Sequence, residues 1–283
     1  MRFKEGEILS NHTTFCIGGL AKYFCIVKTD TDLFLALKYV REKNLKVFVL
    51  GCGSNVLISD KGFDGLVIKI ETENIKRSGN FLTVEAGLML GALLKYSAEN
   101  NLSGLEFLSG IPGAVGGALC MNAGQLNKSI GYLVKKVWVV DRSGREFVLL
   151  KDKCEFGYRS SIFQKKEWII IKVEFVLQKG VFAKIKEEAK NILSEKLAKQ
   201  PYDMPSAGSF FKNPTGDFAG RLIDAAGCKG MRVGGAQVSL KHANFIVNSG
   251  DATFDDVKKL SDEVIGKVKE KFNVVLEPEV RFI

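Results

Sequence analysis

The chain has 283 residues, 46% of them hydrophobic, and 41 lysines and arginines against 32 acids give it a formal charge of +9. That is apolar material for two or three cores of about 100–150 residues each, which excludes a disordered chain, and the charge calls for an anionic partner. No run approaches the ~20 apolar residues of a membrane span, and "MRFKEGEILSNH" lacks the apolar centre of a signal peptide, so a cytoplasmic protein without a membrane partner is expected.

In chain order, "TDTDLFLALKYVREKNL" sets polar caps before an apolar 3.6-residue stripe and predicts a helix, and "KVFVL" and "GLVIKI" then predict short strands. "FLTVEAG" and "VKKVWVVD" read as strands, with "GALLKYSAENN" as a helix between them. In "WIIIKVEFVLQ", Ile169, Ile171, Val173, Phe175 and Leu177 alternate onto one face of a strand. "VFAKIKEEAKNILSEKLAKQ" places lysines and glutamates around a stripe of Phe182, Ile185, Ala189, Ile192, Leu193 and Leu197, a solvated helix and not a nucleic-acid groove. Glycine-rich loops around Ser209 and Gly234 precede a last helix in "FDDVKKLSDEVIGKVKEKF". The fold class is α+β, with domain boundaries expected near residues 75 and 180.

Six cysteines are scattered without a CxxC pair, so neither a disulfide framework nor a metal site is expected. Two histidines, His12 and His242, leave little material for a serine–histidine relay. In "LGCGSNVLI", Gly51, Gly53, Ser54 and Asn55 could aim successive backbone N–H groups at a phosphate; a strand-like run follows and not a helix, so this is not a Rossmann fingerprint. "SGIPGAVGGALCMNAG" gathers Gly110, Pro112, Gly113, Gly116, Gly117, Asn122 and Gly124, where backbone can approach a planar or phosphorylated ligand closely. Each cluster alone reads equally as a turn; together, in a basic chain, they favour a dinucleotide-like cofactor. Ser209, between Gly208 and two phenylalanines in "SAGSFFKNP", is by itself a loop residue that could simply bond nearby backbone.

"NHTTFCIGG", "GCGSNVLI", "GLEFLSGIPGAVGG", "FGYRSSIF", "GSFFKNP" and "LEPEVRFI" stand in this order from Asn11 to Ile283. In this the chain closely resembles the UDP-N-acetylenolpyruvoylglucosamine reductase (MurB) family of peptidoglycan synthesis. The resemblance implies a two-part FAD-binding region of the vanillyl-alcohol oxidase (PCMH) type at 1–75 and 76–180. A substrate-binding domain at 181–283 follows, whose segment 277–283 returns to the active site. It implies non-covalent FAD, NADPH as reductant, and reduction of the enolpyruvyl ether of UDP-N-acetylglucosamine to UDP-N-acetylmuramate by a monomer.

By motif match, Ser209 is the proton donor, Arg159 sits on the substrate carboxylate and Glu279 completes the group. A guanidinium fork suits a carboxylate, and a surface ion pair is the plainer alternative. An ionised Glu279 would oppose the negative charge that accumulates during reduction, so it is expected to act protonated; the plainer alternative is a pair with Arg281 or a lysine. Lys199, Asn213 and His242 match substrate-side positions, although a helix-end lysine and an asparagine before proline are often only a solvated charge and a turn residue. Two departures stand out. "WIIIKVEFVLQKGVFAKIKEE" leaves no room for the inserted tyrosine loop of some relatives, which points to the shorter, type II subgroup, and Gln125, Leu126 and Asn127 replace the frequent Ala-Tyr-Gly after "MNAG". Another FAD oxidase of the same superfamily would keep the glycine loops without pairing "GSFFKNP" with "LEPEVRF", and a non-catalytic nucleotide- or nucleic-acid-binding module is the alternative from a different class.

Overall fold

A computed structural model describes every residue, Met1–Ile283. The chain divides into two compact units: one formed by Met1–Lys4, Phe24–Cys52 and Gly65–Lys196, the other by Glu5–Tyr23, Gly53–Asp64 and Leu197–Ile283.

In the first unit, helix α1 (Asp30–Lys43) starts at a capping box in which the Asp32 N–H donates to Thr29 Oγ1 and the Thr29 N–H to Asp32 Oδ2, both at 3.1 Å, and it stops at Asn44 with φ 48°. Its buried residues Leu33, Ala36, Leu37 and Val40 follow the helical period. Strand Val47–Leu50 pairs in parallel with Phe63–Ile70, matching Val47 to Leu66 and Leu50 to Lys69. Leu66, Val67 and Ile68 are all fully buried, the unbroken apolar run of a strand covered on both faces. A five-stranded antiparallel sheet follows the order Glu146–Leu150, Val134–Val140, Ile169–Val176, Phe81–Glu85, Ile75–Ser78. Val137, Val173 and Val84 face one another across three of its strands with no exposed surface. Their partners on the opposite face are the residues that the period of two makes polar, such as Lys172 and Glu174. Helices α2 (Leu90–Glu99) and α3 (Val115–Cys120) flank this region, and α3 lies against Phe81–Glu85 and Ile169–Val176.

Helix α4 (Phe182–Lys199) forms where the sequence predicts it, but only Ile185 of the expected stripe is buried; Phe182, Leu193 and Leu197 are exposed. Its alanines, lysines, glutamates and leucines are strong helix formers, so local propensity supports a helix that packing barely holds.

The second unit surrounds one apolar core that includes Phe15, Ile17, Leu57, Phe210, Phe211, Leu222 and Leu260. Helix α5 (Ala219–Ala225) and a three-stranded sheet, Arg232–Val233, Ala236–Val238 and Ile246–Asn248, pack on it with helix α6 (Phe254–Phe272). Helix α6 repeats the device of α1: a Thr253–Asp256 capping box, Asn273 at φ 55° as its stop, and Val257, Leu260, Val264 and Val268 on the buried face. The strand-like run after Asn55 is a two-residue strand, Val56–Leu57, paired in parallel with Arg281–Phe282 at the C-terminus. No helix is long and apolar enough to cross a membrane.

Candidate functional site

The two glycine clusters meet inside the first unit. A Cβ at Gly51 would lie 3.9 Å from that of Ala114, and Cys52 Sγ lies 3.1 Å from Met89 Sδ, next to the start of α2. The loop into α3 is held by backbone: the Leu90 N–H bonds Gly113 O at 3.0 Å, the Val115 N–H bonds Leu88 O at 2.9 Å and the Gly116 N–H bonds Ala86 O at 2.7 Å. Gly116 packs closely, since a Cβ there would stand 3.1 Å from that of Ala86. Gly117, one residue on, has no atom within 4 Å of where its Cβ would be, so α3 offers bare backbone to open space. Gly110, at φ 71°, and Gly113, at φ 150°, take conformations that side-chain-bearing residues avoid. A flavin nucleotide fits this cradle, which is open on the Gly117 side and lined by a strand end, a helix start and a glycine turn.

In the second unit, Gly53 has a structural reason to be glycine. A Cβ there would fall 2.2 Å from His12 O, so a β-branched replacement disturbs the fold first and cannot isolate flavin binding. Asn55 reaches to the C-terminus: its Nδ2 donates to Glu279 O at 3.2 Å and its carbonyl accepts from the Arg281 N–H at 3.1 Å.

Ser209 and Glu279 lie on paired segments of this unit. The Glu279 N–H donates to Phe210 O at 2.8 Å, the Lys212 N–H to Glu277 O at 2.9 Å, and Phe211 bridges Pro278 in antiparallel register. Ser209 is half-buried between Gly208, at φ 78°, and the fully buried Phe210 and Phe211. Burying those two rings is worth roughly 1.5–3 kcal/mol each and anchors the segment beside the serine. Asn213 is engaged in structure, its Oδ1 accepting from the Ala219 N–H at 3.0 Å at the start of α5. His242 packs edge-on against Phe245, and its Nδ1 accepts from the Asn244 N–H at 3.2 Å, so the neutral ring carries its proton on Nε2. Burial, aided by Lys229, pushes the His242 pKa down and keeps that neutral form. Lys199 is exposed at the end of α4.

Arg159 belongs to the first unit and occupies an unusual backbone. Gly157 and Ser160 bridge each other through N–H···O bonds of 3.0 and 3.3 Å, and Arg159 takes φ 52° at the third position of this turn, the slot that type II turns give to glycine. Side chains pin the turn to the end of α3. Asn122 Nδ2 donates to Gly157 O at 2.7 Å, while Gln164 Nε2 donates to Arg159 O at 3.0 Å and to Cys120 O at 2.9 Å. Asn122 Oδ1 also accepts from the Gly131 N–H at 2.9 Å, so this predicted cofactor residue holds the arginine turn with its amide. The guanidinium lies over the Tyr158 ring, 5.2 Å from its centroid.

The departure at residues 125–127 has a simple form. Leu126 at φ 54° and Asn127 at φ 59° make a two-residue hairpin turn of the I′ kind between the pairs Gln125↔Lys128 and Gly124↔Ser129. Gly124 is obligatory in it, because a Cβ would lie 2.1 Å from Lys128 O, and Gln125 Nε2 donates to Phe107 O and Ser109 O ahead of Gly110.

Two residues escape the motif reading. Lys196, half-buried on α4 while its other lysines are exposed, has its pKa brought down to about 8 by burial and by the Arg159 charge; its only sequence signal is its place three residues before Lys199. Asn244, in "KHANF", reads as a loop asparagine but is 4% exposed and bonds the backbone after Ser209 on both sides.

Comparison with known proteins bears on the same residues. Residues 21–149 match the family described as "FAD binding domain", and residues 200–283 match "UDP-N-acetylenolpyruvoylglucosamine reductase, C-terminal domain". The UDP-N-acetylenolpyruvoylglucosamine reductase of Lachnoclostridium phytofermentans is 45% identical over 98% of this chain and 91% of its own length. That of Caldanaerobacter subterraneus subsp. tengcongensis is 40% identical over 99% and 95%. The crystal structure of the Thermus caldophilus enzyme superposes with a TM-score of 0.87 at 36% identity, covering 100% of this chain and 99% of that one. The expected α+β class holds, with an FAD-binding domain followed by the family's own C-terminal domain. With relatives of 40–45% identity along nearly its whole length, a glycine-lined cradle that fits FAD and the family's own C-terminal domain, the chain belongs to the UDP-N-acetylenolpyruvoylglucosamine reductase (MurB) family.

Proposed function

We propose that this chain reduces the enolpyruvyl ether of UDP-N-acetylglucosamine to UDP-N-acetylmuramate, with NADPH as reductant, in the cytoplasm, with Ser209, Arg159 and Glu279 as its reacting groups. Residues 1–75 and 76–180 serve as the flavin-binding parts and 181–283 as the substrate domain. Held against Gly51, Gly113 and Gly117 and reduced by NADPH, FAD would supply the hydride for the methylene carbon of the enolpyruvyl group. Negative charge then spreads towards the substrate carboxylate, and Arg159 opposes it with a permanently charged planar fork. Ser209 gives the proton to the neighbouring carbon, which completes the two-electron reduction of the double bond. A hydroxyl is a weak acid, so the serine must be reprotonated as it gives up its proton. Glu279, on the segment paired with Phe210, acts protonated, because an ionised carboxylate there would raise the barrier. Lys199, Asn213 and His242 serve the substrate side, Asn213 and His242 through the elements that they hold.

The observation that carries this reading is the placement of Ser209: a half-buried hydroxyl next to two anchored phenylalanines, on a segment whose backbone is paired with that of Glu279. A mere loop serine needs none of that anchoring. The reading is tested by separating the half-reactions: Ser209→Ala bleaches normally with NADPH, yet reoxidises with the enolpyruvyl substrate more slowly by about 10²–10⁴. Equal slowing of both halves would make Ser209 a pocket residue and overturn the assignment.

A further inference from the structure

The two residues that follow Ser209 are held by a side chain to which no motif points. Asn244 is 4% exposed, and its amide treats Phe211 as a paired strand would: Oδ1 accepts from the Phe211 N–H at 2.9 Å and Nδ2 donates to Phe211 O at 2.8 Å. Its own carbonyl accepts from the Phe210 N–H at 2.7 Å, and its own N–H donates to His242 Nδ1 at 3.2 Å. Every backbone polar group of Phe210 and Phe211 other than Phe210 O therefore bonds Asn244, and Phe210 O bonds the Glu279 N–H. On the N-terminal side Gly208, at φ 78° with open space where a Cβ would be, supplies no restraint of its own. The next bonded residue on that side is Ser206, whose carbonyl accepts from Thr14 Oγ1 at 2.7 Å and whose N–H donates to Thr14 O at 3.1 Å, so the restraint adjoining Ser209 directly is the one that Asn244 makes on its C-terminal side.

We propose that Asn244 is a positioning residue for proton donation: it locks Phe210 and Phe211 so that the Ser209 hydroxyl is held at the carbon it protonates and the backbone leading to Glu279 stays in register. The inference rests on the reading of Ser209 as the proton donor. A displacement of about 1 Å at a reacting group can cost on the order of 10²-fold in rate, which is the size of effect a lost clamp can have.

Aspartate at this position gives a specific signature. When ionised, Asn244→Asp keeps the acceptor for the Phe211 N–H but sets a carboxylate oxygen against Phe211 O. When protonated, it restores both bonds. His242, whose Nδ1 faces the Asn244 N–H, is shared by Asn244→Asp and Asn244→Ala, so its titration cancels between them. The FAD-loaded full chain is measured in both half-reactions for Asn244→Asp, Asn244→Ala, Ser209→Ala and the double variant Ser209→Ala/Asn244→Asp. We expect bleaching by NADPH at the wild-type rate throughout. Reoxidation by the enolpyruvyl substrate should slow by roughly 10–10² in both Asn244 variants and recover towards low pH only in Asn244→Asp. The double variant should be no slower than Ser209→Ala, because two residues that act through one step do not add. A double variant slowed by the product of the single effects, or recovery at low pH in both Asn244 variants, would overturn the proposal and leave the role of Ser209 standing. Ser209→Ala reoxidising at the wild-type rate would sink both. Should the Asn244 variants fail to fold, amide exchange of the wild-type holoenzyme decides: Phe210 and Phe211 amides protected to the level of the core support the clamp, and exchange at loop rates refutes it.

Discussion

The backbone of Arg159 makes a prediction that no sequence motif contains. At φ 52°, an L-residue pays about 1–2 kcal/mol relative to its preferred conformations, and glycine pays nothing, although glycine loses roughly 0.5–1 kcal/mol more chain entropy on folding. Arg159→Ala and Arg159→Gly both remove the guanidinium, its stacking on Tyr158 and any ion pair, so these losses cancel between them. What remains is the backbone, and it favours glycine by about 1 kcal/mol, or roughly 2–4 °C in melting temperature for a chain of this size. If Arg159 acts as proposed, both variants should lose the oxidative half-reaction, so the more stable protein is no more active, and the strain is what an arginine at that position costs. Thermal and urea unfolding would be followed with both proteins saturated with FAD, since unequal flavin content alone shifts the midpoint. If Arg159→Ala is as stable as Arg159→Gly, the turn is not strained and the hydrogen bonds from Asn122 and Gln164 do not hold it against a preference.

Gly117→Val puts a side chain into the open space beside α3, and its outcome should be loss of FAD, read from absorbance, with an apoprotein whose far-UV spectrum is unchanged; retained FAD would move the cofactor away from this glycine. Glu279→Gln keeps a hydrogen-bond donor and should retain more oxidative activity than Glu279→Ala, with normal bleaching by NADPH; equal inactivity would point to an ionised role. Lys196 loses its proton in the folded chain near pH 8 and in the unfolded chain near the ordinary lysine value of 10.5, so between those values the unfolded state binds more protons and wild-type stability gains with rising pH. Relative to Lys196→Met, the wild-type urea midpoint should therefore rise across that window and level off below pH 8; a difference independent of pH would show that burial and the Arg159 charge do not bring the lysine down.

The helices and long strands were legible in the sequence because their signals are local. Thr29 with Asp32 and Thr253 with Asp256 announce helix starts, and the alternation from Ile169 to Phe175 announces a half-buried strand. The stripe on α4 was legible as a helix but not as an exposed one, since the pattern records which residues could be buried and not whether anything covers them. The catalytic candidates came from motif order. The residues that hold them did not, because Asn122, Gln164 and Asn244 act on backbone atoms 35, 5 and 33 residues away, and an amide bonding a distant carbonyl leaves no periodic or compositional trace. The glycines divide in the same way. A glycine run gives the same reading whether it faces open space, as Gly117 does, or the backbone of His12, as Gly53 does, and only the contact made by a Cβ at each position separates them.

The central claim is that this chain transfers reducing equivalents through FAD to an enolpyruvyl ether, and one stopped-flow record tests it most directly. The purified yellow protein is mixed with NADPH in the absence of oxygen and the flavin absorbance is followed; the enolpyruvyl ether of UDP-N-acetylglucosamine is then added. The account predicts bleaching in the first step, recovery in the second, and one UDP-N-acetylmuramate formed for each flavin reoxidised. A bleached flavin that the enolpyruvyl substrate leaves reduced, while oxygen or another acceptor restores its colour, would contradict it.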